Sequence, residues 1–487
     1  MTADLREVRR HPTRTLSVLA LAALALSLAQ TMVVPALPAL QRDFGVDASD
    51  ATWVLTAFLL TSSVSTPLLG RLGDMYGKER LLLLALFFFG AGSVVCALSG
   101  SLAVLVAGRA VAGLGGAIIP LAIGIVRDEF PREKVATGIG TISAMFGIGG
   151  GAGLVLAGVL VDHVSVAWIF WLSVAGTALA ALGTWRYVPE SPVRVRARVD
   201  WAGAVLLSLA LTALLLGVSE GNRWGWTSAG VLGLFATAVV FAIAFVAFQL
   251  RTTDPIVDMK VMRERAVWTT NAVAFAVGFA MFGSFILIPQ LVQTPEAAGY
   301  GFGASVTASG LFLLPSSVVM LFAGPLSGSL GNRFGSKLPL GIGAAVAAVA
   351  YFWLAFEHGA RIDIYLGSTL LGLGIGLAFA AMANLIVSAV PQDQTGVATA
   401  INAIMRTVGG AIGAQVAAAL VTASFVTVGA AQLPAEGGYT AAFVMSGAGA
   451  LVALLATLAI PGARRAVAGG GTGSETPAVP VATGGAR

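Results

Sequence analysis

Charge is scarce in this chain: 10% of its 487 residues are Asp, Glu, Lys or Arg, where soluble domains carry about a quarter. With 57% hydrophobic residues and a mean hydropathy of +0.89, that deficit excludes a water-soluble globule. Cysteine is nearly absent. Cys96 stands alone in an apolar run, so neither a disulfide framework nor a thiolate metal site is available. The three histidines, His11, His163 and His358, all fall outside the apolar runs. Acid is missing where a membrane protein would use it. Of 23 Asp and Glu, none lies deep in an apolar run, and the nearest, Asp128, Asp162, Glu220 and Asp363, sit at run ends. The formal charge of +5 is spread over short loops without a contiguous patch, so nucleic acid is not an expected partner. A nucleotide site is not expected either: the one Gly-Lys pair, Gly77-Lys78, lacks both the upstream glycine at phosphate-loop spacing and a following Ser or Thr.

What the chain does have is long apolar runs, beginning near Thr15, Thr52, Leu81, Leu102, Val135, Ala167, Trp201, Ala229, Val267, Ala304, Leu338, Ile364, Ala398 and Tyr439. Lipid offers the backbone no hydrogen bonds, so runs of about 20 apolar residues must be helices, and fourteen spans are predicted. The first follows a basic stretch, Arg6 to Arg14, but its apolar part exceeds that of a cleavable signal and is read as a retained span. With the N-terminus in the cytoplasm, the outer loops hold only Arg42, Arg223 and Arg361, and the spans hold Arg109 and Arg406. Every other Lys and Arg is then cytoplasmic. The positive-inside rule selects that orientation. An even span count returns the C-terminus to the cytoplasm, with a Gly, Pro, Thr and Ala-rich tail at 463–487 expected to be disordered.

The loop after the second span, Gly70-Arg71-Leu72-Gly73-Asp74-Met75-Tyr76-Gly77-Lys78-Glu79-Arg80, has its pattern repeated as Gly328-Ser329-Leu330-Gly331-Asn332-Arg333-Phe334-Gly335-Ser336-Lys337. The same offset links Gly138 to Gly396, and an offset one residue longer links Gly113-Leu114-Gly115 to Gly372-Leu373-Gly374. Two homologous halves of six spans follow, with the two spans between 201 and 250 as an insert. The organisation expected is a cytoplasmic N-terminus at 1–14, a first half at 15–190, a linker with the inserted spans at 191–266, a second half at 267–462 and the tail.

These blocks resemble the major facilitator superfamily, and fourteen spans resemble its drug:proton antiporter branch (EmrB/QacA-like). The glycine-rich loop at 70–80 is the most specific match. Leu105-x-x-x-Arg109-x-x-x-Gly113 is similar to the family's fourth-span motif, and Gly149-x-x-x-Gly153 followed by Gly158 to its fifth-span antiporter motif. Trp53 to Phe58 and Ala36-Leu37-Pro38 also resemble family blocks. The resemblance implies an all-α polytopic membrane protein of the major facilitator fold, two six-helix halves plus two inserted spans, working by alternating access without a cofactor or metal. It also implies departures. The first-span acid position is Ala29 and the usual Asn is Val34, the fourth-span Gln is Ala112, and the fifth-span Pro is Leu154.

The glycines of the 70–80 loop are needed for a tight reversal whatever else the loop does. The functional expectation is that Gly70, Arg71, Gly73, Asp74, Gly77, Lys78 and Arg80 form a gating motif, with Asp74 and its basic neighbours holding the halves together in one state. Asn332 replaces the acid in the second half, so the latch is expected to be asymmetric. Gly149, Gly153 and Gly158 suit close helix packing. Arg109 and Arg406, inside spans without an obvious carboxylate, either face a cavity and carry function or are solvated by carbonyls and by Asn384, Asn402 or Gln415. Proton coupling falls to Arg109, Arg406 or Asp128, or to Asp43, Asp47 or the substrate itself. From the spans that line the cleft in the resembled fold, the cavity candidates are Gln30, Thr31, Phe58, Met145, Asn271, Phe275, Phe282, Gln290 and Asn402, each of which would also serve as packing.

The function expected is proton-coupled efflux of a drug or secondary metabolite, a neutral or anionic amphiphile. A lipid or envelope-precursor transporter and a facilitator without proton coupling are the alternatives. An integral-membrane enzyme would need a deep acid or His constellation that the sequence lacks. The setting expected is a bacterial inner membrane, with membrane lipid around a monomer.

Overall fold

The computed structural model describes residues 12–191, 198–428 and 431–461, apart from the side chains of 48, 49, 282–285, 428 and 431. Residues 1–11 of the expected N-terminal segment, positions 192–197 of the linker, the tail at 463–487, His11 and the Phe282 side chain therefore lie outside the description.

Among the described residues, fourteen helices are long and apolar enough to span a membrane. They are α1 (Pro12–Thr31), α2 (Trp53–Tyr76), α3 (Lys78–Ala97), α4 (Leu102–Glu129), α5 (Arg132–His163), α6 (Ala167–Tyr187), α7 (Trp201–Trp224), α8 (Ala229–Gln249), α9 (Arg265–Gln293), α10 (Val306–Phe334), α11 (Lys337–Phe356), α12 (Arg361–Ala389), α13 (Gln392–Val421) and α14 (Glu436–Ala459). Their starts follow local chemistry. Ser101, Ser228 and Ser305 accept from the backbone N–H three residues on at α4, α8 and α10, and Asp200 does so from Gly203 at α7, which satisfies amides that a helix leaves unpaired. The Asp363 carboxylate takes the Ala360 amide at α12. α4 tightens to a 3-10 turn at Leu114–Ala117, where consecutive glycines make the change of pitch cheap.

Packing repeats with a shift of eight in helix number. The pairs α1 with α5, α1 with α6, α2 with α4, α3 with α4 and α3 with α6 recur as α9 with α13, α9 with α14, α10 with α12, α11 with α12 and α11 with α14. The halves meet along α5 with α10 and α2 with α13, itself a repeated pair. The inserted α7 and α8 pack on each other, and α7 lies against both α2 and α13.

One face of the bundle carries the 70–80 and 328–337 loops and is called the basic face. The opposite face carries a feature the sequence reading lacked: β1 (Phe425–Val428) and β2 (Ala431–Pro434) form an antiparallel hairpin between α13 and α14. Phe-Val-Thr-Val favours extended backbone, and a segment this short has no helix of its own to join. The Tyr300 hydroxyl donates to the Pro434 carbonyl and ties the hairpin to the α9–α10 connection. Burial raises the Tyr300 phenol above its ordinary pKa. Large side chains facing outward, such as Phe87, Leu179, Ile243, Phe322 and Leu455, suit a hydrocarbon surround, and exposed Trp168, Trp185, Trp201, Trp224 and Trp268 stand at span ends, where an aromatic belt belongs.

Candidate functional site

On the basic face, α2 ends where Gly77 adopts φ +113°, a conformation that L side chains rarely enter, and its N–H closes the last turn on the Gly73 carbonyl. That reversal sets Asp74 and Lys78 one turn apart, both fully buried, with Lys78 Nζ 3.2 Å from Asp74. Lys78 also donates to Asp128 at 2.7 Å, and Ser191 Oγ donates to the same Asp128 oxygen at 2.6 Å. The Asp74 carboxylate crosses to the other half: it accepts from the Gly396 amide at 3.1 Å and the Val397 amide at 3.4 Å, in the first turn of the α-helical part of α13. A carboxylate at a helix N-terminus takes up unpaired amides and faces the favourable end of the dipole. Glycine is required at the crossing, because a Cβ on Gly70 would stand 2.8 Å from the Gly396 carbonyl oxygen.

Arg127 adds a second grip. Its guanidinium donates to the carbonyls of Val390 at 2.7 Å and Pro391 at 3.1 Å and to Thr395 Oγ1 at 2.5 Å, and so binds the α12–α13 turn. Not every basic residue of the loop joins in. Arg80 is exposed and pairs with Glu190 at 3.3 Å, while Arg71 borders a recess beside Arg198, Asp200 and Asp254. The latch brought together is thus Asp74, Lys78, Asp128 and Arg127 against the α12–α13 turn, and the basic face is closed between the halves.

Above this latch lies a small cavity between the halves, lined from α4 by Ile119, Pro120 and Ile123, from α5 by Ser143 and Phe146, and from α12 and α13 by Phe379, Asn402 and Arg406 among others. Arg406 is the only charged lining residue. Its guanidinium carbon lies 4.3 Å from the centre of the Phe379 ring and 5.4 Å from that of Phe146. Arg109 is placed differently: it is buried in the first half, donates from Nε to the Val54 carbonyl at 3.1 Å and sits 4.3 Å from the centre of the Phe58 ring. It lines no part of this cavity.

Over residues 19–414 the chain matches the model of the Major Facilitator Superfamily. It belongs to that superfamily. It is 32% identical to the multidrug resistance protein Stp of Mycobacterium tuberculosis over 391 residues, 80% of this chain and 72% of that protein. It is 30% identical to the tetracenomycin C resistance and export protein of Streptomyces glaucescens over 413 residues, 84% of this chain and 76% of the other. In fold it is similar to the human organic anion transporter MFSD10 (TETRAN), with a TM-score of 0.68 at 17% identity, covering 92% of this chain and all of that one. The protein is therefore a major facilitator transporter of the drug:proton antiporter branch in sequence, and not an enzyme.

In this transporter the fifth-span glycines are packing positions. A Cβ on Gly149 would meet Ser27, one on Gly153 would meet Thr31, and one on Gly158 would stand 2.8 Å from the Thr307 Cα. The Thr31 hydroxyl donates to the Gly149 carbonyl at 2.6 Å and the Ser27 hydroxyl to Phe146 at 2.8 Å, which rivets α1 to α5. Ala29, at the position of the missing acid, is buried in the first-half core. Of the cavity candidates, only Asn402 borders the cavity, and it donates to Asn271 across α13 and α9 at 3.0 Å. Phe58 and Met145 are buried in the first-half core, Gln30 and Phe275 are half-buried, and Gln290 is exposed. Sequence reasoning missed Phe146, Phe379 and Arg127. Phe146 and Phe379 each stand as the lone aromatic in a run of small residues, 138–158 and 372–383, and that isolation was the available signal.

Proposed function

We propose that this transporter exports an amphiphilic drug or secondary metabolite, neutral or anionic, by alternating access coupled to proton entry. Its setting is a bacterial inner membrane, as a monomer with the basic face and both termini in the cytoplasm. The observation that carries the reading is the cavity between the halves, with Arg406 as its only charged lining residue, set over a latched face. Such a cavity accepts amphiphiles and disfavours cations. Relatives named for multidrug resistance and for tetracenomycin C export support the drug class, and the distribution of Lys and Arg supports the orientation.

With Ala29 in place of a first-span acid, the coupling carboxylate is assigned to Asp128. One of its oxygens takes both Lys78 and Ser191, and its buried Oδ1 has no hydrogen-bond partner. A proton on Asp128 would weaken its hold on Lys78 and loosen the latch. The test is reconstitution in liposomes with internal pH followed while amphiphiles are added under an imposed proton gradient. Substrate-dependent proton flux that Asp128→Asn abolishes is expected, and Arg109→Ala is compared beside it. Substrate movement indifferent to the gradient would make the protein a facilitator.

A further inference from the structure

Arg406 is an incomplete site. A guanidinium carries five N–H donors, yet among the described residues Arg406 makes no hydrogen bond and no ion pair, and no other charged group acts on it. None of the three amides that could have solvated it is bonded to it: Asn402 turns its NH2 to Asn271, Asn384 turns its NH2 to the Ala136 carbonyl, and the Gln415 oxygen accepts from Asn222. The rings of Phe146 and Phe379 stabilise its charge but offer no oxygen to its N–H groups. A half-buried cation in this condition, at mid-depth in a membrane protein, is costly until an anion arrives. Apart from Ser143, Thr399 and Asn402, the rest of the lining is apolar, with Ile119, Pro120, Ile123, Ala383 and Ala403, and would be wasted on a small inorganic ion.

We infer that Arg406 recognises a planar aromatic acid, whose carboxylate pairs with the guanidinium while its ring system rests against Phe146 and the α4 isoleucines. The inference rests on the export reading and narrows its substrate class. Arginine suits this task better than lysine, because the planar fork matches both carboxylate oxygens at once.

The test uses the full chain in lipid nanodiscs and fluorescence anisotropy of two planar dyes, anionic fluorescein and cationic ethidium. Fluorescein should bind the wild type more tightly than ethidium, and be displaced by 1-naphthoate but not by 1-naphthylmethanol. Arg406→Gln should weaken fluorescein binding at least about tenfold, a change of roughly 1.4 kcal/mol, without weakening ethidium. Arg406→Lys, which keeps the charge, should weaken fluorescein by a smaller factor and keeps the test open if the glutamine variant does not fold. Equal fluorescein binding by wild type and both variants, or wild-type preference for ethidium, overturns the inference. Dye efflux from cells separates the two readings. Ethidium export that Arg406→Gln leaves intact, with fluorescein binding unchanged, sinks the acid site and leaves export standing. A wild type that expels no dye but binds fluorescein through Arg406 sinks export and leaves the site.

Discussion

The two glycine-rich loops share a backbone and differ in chemistry. Gly77 and Gly335 both adopt positive φ and end their helices with the same amide-to-carbonyl closure, on Gly73 and Gly331. A Cβ on either Gly70 or Gly328 would strike backbone of the opposite half. In the first loop, however, a buried acid accepts two amides from the opposite half and is backed by Lys78 and Asp128. In the second, Asn332 is only one donor on the Glu133 carbonyl, at 2.7 Å. The seams differ accordingly. α5 and α10 interlock along their length, with Gly140 against Gly324, Gly147 against Met320, Gly151 against Ser317 and Gly158 against Thr307. The direct α2–α13 contact is tight at the basic end, where charge holds it. Repeated geometry lets the halves dock, and unrepeated charge distinguishes one seam from the other.

That comparison breaks most sharply at Asp74. Asp74→Ala leaves Lys78 with Asp128 alone and strands two helix-end amides, and losing one member of a buried pair costs about 3–5 kcal/mol. Transport in proteoliposomes should fall at least about tenfold, and a cysteine introduced at Val397, buried at the latch, should react faster with an impermeant maleimide. Asn332→Ala should change either readout less than about twofold, and an equal loss at the two sites would refute the asymmetry. Gly70→Ala and Gly328→Ala should behave alike, each lowering thermal stability by about 1–3 kcal/mol through overpacking, since the geometry is common to both loops. Arg127→Gln should lower transport severalfold by freeing the α12–α13 turn, short of the Asp74 effect. At the small end, Arg80→Ala removes an exposed pair and should alter melting by no more than about 1 kcal/mol.

The fourteen spans and the two halves were legible because a membrane admits one backbone solution and a duplicated chain keeps its glycines. The asymmetry of the latch was legible in Asn332. What the sequence withheld was partnership. Nothing local in Asp74 names Gly396, 322 positions away, although the repeat pairs Gly396 with Gly138 at the same offset that pairs the loops. Periodicity places a residue on a span without saying which neighbour that face meets. Thr31 was therefore expected at a cavity, and the structure shows its hydroxyl on a glycine carbonyl of α5. Arg406 was open between two readings for the same reason, since only three dimensions show that Asn384, Asn402 and Gln415 turn to other partners.

The inserted α7 touches both halves at once, through Ser219 to Thr56 of α2 at 3.0 Å and through Asn222 to Gln415 of α13 at 2.5 Å. At the seam that charge latches at one end, a helix of the chain therefore occupies the place of the first layer of lipid. The boundary there has a composition written in the gene rather than drawn from the bilayer, and its softness is set by two hydrogen bonds instead of acyl-chain order. A change in membrane lipid should be felt at the other flanks of this protein before it is felt at the α2–α13 seam.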